Sequence, residues 1–118
     1  MNLKEFYIKC NGNYQDAMAR FLSEERVIKF LRLFLNDDSY TSLTKAIADN
    51  DYAAGFRYSH NLKGVAANLS LDSLFTVSSN ICEMLRSYTG PIPNNEVIEA
   101  LKPVSEQYEL VVKYINEL

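Results

Sequence analysis

Between short polar breaks, the apolar residues of this chain recur every three or four positions, the period of a helix face. No strand or hairpin signal competes with that pattern, so helix packing is the route to a buried core. Asn2 is placed to cap a helix through Cys10, with Leu3, Phe6, Tyr7 and Cys10 on one stripe. A turn at Asn11-Gly12 follows. From Tyr14 to Leu35 the apolar positions are Ala17, Phe21, Val27, Ile28, Leu31, Phe34 and Leu35, on one helix or on two bent near Ser23. The loop Asn36-Asp37-Asp38-Ser39 ends in a good cap for a helix over Tyr40 to Ala48, and Asp49-Asn50-Asp51 separates that helix from one over Tyr52 to about Leu69. Asp72 or Ser73 can start a helix to about Tyr88, with Leu74, Val77, Ile81, Met84 and Leu85 as its apolar stripe. The clearest break is Thr89-Gly90-Pro91-Ile92-Pro93. Asn94 or Asn95 then caps a last helix to Leu118, which Pro103 is expected to kink or split. These segments predict a single all-α domain over residues 1–118, its short connections favouring antiparallel packing into a bundle.

Charge and composition narrow the function classes. The net charge is -3 with no basic block, which argues against nucleic acid as the ligand. No apolar run approaches the roughly 20 residues of a membrane span, and the start MNLKEFYIKC lacks the apolar core of a signal peptide. Cys10 and Cys82 stand far apart and outside any C-x-x-C spacing, as packed, reduced thiols of a cytoplasmic protein would. One histidine and two scattered cysteines do not make a zinc ligand set, and Asp37-Asp38 reads as a solvated loop. The initial methionine and self-contained helices favour a free-standing chain, expected to be a monomer.

The chemistry concentrates on the lone histidine, His60, in the stretch SHNLKGVAANLS. A helix advances roughly 100° per residue, which puts Tyr58, Leu62, Val65, Ala66 and Leu69 on the core side. His60 then points outward among Ala53, Phe56, Arg57, Lys63, Gly64 and Ala67. Half of those neighbours are alanine or glycine, so a second surface can approach the ring closely. Glycine inside a helix costs about 1 kcal/mol relative to alanine, so Gly64 calls for a reason. An imidazole near neutral pH offers a ring nitrogen lone pair without a separate base, which suits attack on a phosphoryl donor. The chain has no Gly-rich phosphate loop and no acidic metal cluster, so a partner would have to bring the phosphate and any Mg²⁺.

His60-Asn61-Leu62-Lys63-Gly64 resembles the H-x-L-K-G motif of the histidine-containing phosphotransfer (HPt) domain of multistep phosphorelays. The likeness extends to Ala46-Ile47-Ala48-Asp49-Asn50-Asp51-Tyr52 before the histidine, to Ala66-Ala67-Asn68-Leu69 after it, and to Ile81-Cys82-Glu83; it is best from about Tyr14 to Arg86. The resemblance implies a four-helix bundle, here with additional short N-terminal helices. It also implies that His60 takes a phosphoryl group from a receiver-domain aspartate and passes it on. Lys63 would meet the phosphate, Gly64 would leave room for a response regulator or hybrid kinase receiver to dock, and the Mg²⁺ would sit on that partner, with no cofactor of the chain's own. Phe56, Arg57, Ala67 and Asn68 join the interface candidates from the helix wheel. The sequence departs from the family at Ser70, where glycine is usual, which bears on the turn at the helix end. Two other readings stand beside this one: a bundle that docks a partner without taking phosphate, and a hydrolase or transferase using His60 as acid or base. The last needs a second catalytic group and an enclosing pocket, neither of which the wheel supplies.

Overall fold

A computed structural model describes all residues, 1–118. The chain is wholly helical, with α1 (Leu3–Lys9), α2 (Tyr14–Phe21), α3 (Glu24–Phe34), α4 (Ser39–Ala48), α5 (Tyr52–Asn68), α6 (Asp72–Leu85) and α7 (Asn95–Ile115). Five of the seven starts are fixed by side chains that accept an orphan backbone N–H. Asn2 accepts from Glu5, Asn13 from Asp16, Ser23 from Arg26, Asp51 from Ala54, and Asn94 from both Glu96 and Val97. Leu22 adopts a left-handed conformation, with φ 72°, that ends α2 before Ser23 caps α3. The stretch Tyr14 to Leu35 is therefore two helices. Pro103 does not split α7, because its ring sits on the exposed face, where water can take up the carbonyl it frees.

Helices α4, α5, α6 and α7 touch in a closed ring, each against the next and α7 against α4. Helix α1 lies against α2 and α7, and α2 against α3. One continuous core runs from Leu3 and Phe6 through Val27, Leu31, Leu62, Leu74 and Val104 to Ile115. The α6 stripe is rotated from its expected position: Met84 is 36% exposed, while Ser78 and Cys82 are fully buried beside Leu74, Ile81 and Leu85. Leu35, expected inside, is likewise 36% exposed just past the end of α3. On α5 the buried positions include the small Ala54, Gly55, Ser59 and Ala66. Small side chains let backbones approach closely, and α5 packs on α6 more extensively than any other pair of helices does. Both cysteines are free and buried, and burial pushes the Cys10 thiol up to about 12. No helix is long and apolar enough to cross a membrane.

The N-terminal helices grip the end of α5. The Tyr7 hydroxyl donates to the Leu69 carbonyl at 2.8 Å, and the Asn13 N–H donates to the Ser70 carbonyl at 2.9 Å. Arg20 donates to the carbonyls of Ala67 and Asn68 and to Ser70 Oγ, satisfying groups a helix end leaves open. Ser70 itself takes φ 57°, a left-handed conformation in which glycine carries no Cβ penalty. A second role explains the serine. Its side chain is almost wholly buried, and Oγ donates to Asp16 Oδ2 at 2.6 Å while accepting from Arg20 at 2.9 Å. We expect Ser70→Ala to destabilise the protein more than Ser70→Gly, by about 1 kcal/mol, since alanine loses the hydroxyl and keeps the strained backbone. Urea titrations of the two variants measure the difference. The Ser70 hydrogen bond, and then Arg20, hold the Asp16 carboxyl below its ordinary range. The stability it contributes is complete above the ordinary carboxylate range, near pH 4, and is lost as pH falls through the lowered value. Both variants should therefore lose less stability than the native chain on acidification below about pH 4.

Candidate functional site

Asp51 starts α5 and Leu69 ends it, so His60 falls near the middle of a helix held at both ends. The core side of that helix is Leu62, Ala66 and Leu69, fully or almost fully buried, with Tyr58 and Val65 half-buried at its edges. His60 is exposed, as the helix period requires, although its predecessor Ser59 is fully buried with its hydroxyl donated to the Phe56 carbonyl.

The two glycines of α5 differ in a way that bears on function. A Cβ added at Gly55 would lie 3.1 Å from Ile47 Cδ1 and 3.2 Å from Leu85 Cδ1, so packing against α4 and α6 accounts for that glycine. A Cβ at Gly64 would meet no atom within 4 Å. Nothing inside the chain requires the side chain at position 64 to be absent. Gly64 lies one turn from His60 and borders the same open concavity, of about 570 Å³, with Asn61, Val65 and Asn68 from α5, Asp37 and Asp38 from the loop before α4, and Ser39 from the start of α4.

The other flank of His60 is aromatic and cationic. The Phe56 ring is 6.1 Å from the imidazole, centroid to centroid, and tilted by 47°. Arg86, just past the end of α6, lies 5.1 Å over the Phe56 ring and is bound by both oxygens of Glu83 at 2.9 and 3.2 Å. Lys63 is half-buried on this side. Glu83 is held below the usual carboxylate range by its hydrogen bonds to Arg86, by the Arg86 charge, and by the positive charge of Lys63. Lys63 therefore shares its field between α5 and a carboxylate on α6.

Not every sequence candidate gathers at the histidine. Gly64 and Asn68 border its concavity, and Phe56 faces its ring. Arg57 is exposed but lines a neighbouring groove with Phe56, Arg86 and Tyr88. Ala67 is exposed and borders neither hollow; its carbonyl is taken by Arg20. Sequence reasoning missed Asn61, Glu83, Arg86 and the placement of Asp37 and Asp38. Asn61 was within reach of it, because residues 61, 64, 65 and 68 form one row along the helix surface. The others arrive from different elements. No three histidine, cysteine, aspartate or glutamate side chains converge as a metal ion would need. No family model, curated protein or solved structure matches the chain.

What this arrangement can do follows from its openness. A nucleophilic ring stands on a convex helix, with a cation one turn along, an arginine-capped aromatic on one side and empty space on the other. It lacks the enclosing walls that would exclude water from a reaction, so chemistry at the ring would be completed by a second surface.

Proposed function

We propose that this chain is an HPt-type phosphoryl carrier, in which the ring of α4, α5, α6 and α7 is an antiparallel four-helix bundle and α1 to α3 are N-terminal additions. The observation that carries the reading is Gly64: a glycine one turn from an exposed histidine, on a helix face where no contact within the chain accounts for it. In this reading His60 exchanges a phosphoryl group with the aspartate of a receiver domain, on a response regulator or a hybrid histidine kinase, and the chain acts as a cytoplasmic monomer. The lone pair of the unprotonated ring nitrogen attacks phosphorus. The acyl P–O bond breaks, its electron pair stays on the receiver carboxylate, and the ring keeps its proton on the other nitrogen. The receiver supplies the phosphate and the Mg²⁺, so the chain by itself is no enzyme. Lys63 offsets phosphoryl charge on the ring. Gly64 and the concavity beside it admit the receiver, with Phe56, Arg57, Ala67 and Asn68 around the contact.

Mixing the chain with a phosphorylated receiver and Mg²⁺ tests this directly. Acid-labile, base-stable phosphate should appear on the native chain in a phosphate-affinity gel and be absent from His60→Gln. A folded native chain that takes no label from a broad panel of receivers would leave a docking module in place of a carrier.

A further inference from the structure

The concavity beside His60 contains two carboxylates that the carrier reading leaves unused. Asp37 is fixed there, its Oδ1 accepting the Ser39 N–H at 2.9 Å, and Asp38 stands at the N-cap of α4 without making a side-chain capping bond. Neither has a cation partner: the four ion pairs of the chain engage Asp16, Asp49, Glu83 and Glu99. On the opposite flank Lys63 carries the positive charge. The ring thus sits between fields of opposite sign. The N-terminus of α4 adds a partial positive charge on the acidic side, about half an elementary charge, which two carboxylates exceed.

We infer that Asp37 and Asp38 raise the transfer potential of phosphorylated His60, so that exchange is biased toward the receiver aspartate. The inference rests on the carrier reading. The transferred phosphoryl group makes the otherwise neutral ring net negative, with that charge on its phosphoryl oxygens, and only then do the two carboxylates repel it. The penalty falls on the phosphorylated state alone, which is what shifts a transfer equilibrium. His60 and Asp38 are exposed and Asp37 is half-buried, so the effect is moderate and weakens once the Debye length, about 8 Å at 0.15 M salt, falls below the span of the concavity.

The test is the equilibrium between phosphorylated chain and phosphorylated receiver, approached from both directions, for the native chain and for Asp37→Asn/Asp38→Asn. Asparagine keeps the oxygen that accepts from Ser39 and removes only charge. The ratio of phosphorylated chain to phosphorylated receiver should rise about three- to tenfold at low ionic strength and converge on the native ratio in high salt. This ratio concerns the separate proteins, so a change in docking cannot move it. An unchanged ratio would overturn the inference, and an altered rate with an unchanged ratio would do so while assigning the two aspartates to receiver docking. Absence of label on the native chain would instead remove the carrier reading, and this inference with it.

Discussion

Gly64→Leu should make the protein more stable and nearly stop phosphoryl transfer from a receiver. The stability gain follows from helix propensity: leucine replaces glycine inside α5 at an exposed position where the added Cβ meets no atom within 4 Å, which is worth about 0.8 kcal/mol and about 4 °C in melting temperature. The transfer loss follows from geometry. A four-carbon side chain beside His60 fills the space the receiver would use, and displacing reactants by about 1 Å can cost 100-fold in rate. Labelling by a small phosphoramidate donor needs no docked protein and should stay near the native rate. Gly64→Ala should be at least as stable as the leucine variant, since alanine is the strongest helix former, and should transfer at a rate between those of the two chains. Thermal melts and transfer kinetics on one preparation decide the matter. A raised melting temperature with an unchanged receiver rate would remove Gly64 from the interface.

Nine positions earlier on the same helix, the same substitution should have the reverse effect on stability. At Gly55 the space a side chain would take is already held by Ile47 and Leu85, with Leu43 4.0 Å away. Overpacking a core typically costs about 1–3 kcal/mol, and leucine brings more atoms than the ends of two side chains can yield to. After the gain in helix propensity, Gly55→Leu should lose about 2 kcal/mol and melt roughly 10 °C lower. Gly55→Ala should be close to neutral, since its neighbours need move only a few tenths of an ångström. A well-tolerated leucine at position 55 would mean that α4 and α6 can shift apart, and that this glycine does not set their approach.

The helix content and most of its punctuation were legible because they rest on local chemistry. Asn2, Asn13, Ser23, Asp51 and Asn94 each satisfy backbone groups a few residues away, so a reader of the sequence meets cap and helix together. The outward setting of His60 was legible for the same reason, as rotation along one helix. What escaped was decided between helices. Met84 offers more apolar surface than Ser78 or Cys82, yet α6 buries the smaller pair and leaves Met84 partly in water. Close approach of α5 and α6 favours small side chains at the seam, a preference that hydropathy does not record. The acidic loop was read as solvated, and Asp38 is indeed exposed. Its nearness to His60 depends on how α4 meets α5, which local spacing cannot reveal. At Ser70 the sequence marked a departure from the expected glycine. Only the fold supplies the compensation, from Asp16 and Arg20 on α2.

The grip of the N-terminal helices on α5 also bears on the order in which the chain can assemble during synthesis. Tyr7 finds its acceptor 62 positions later, Arg20 finds its own 47 to 50 positions later, and the terminal amine meets the Glu117 carbonyl 116 positions on. Contacts of such separation wait for the intervening chain and carry the cost of closing long loops. While α1 and α2 leave the ribosome, the carbonyls that Tyr7 and Arg20 will hold do not yet exist. These two helices are therefore not secured as they emerge, and they clasp α5 only once its far end has been built.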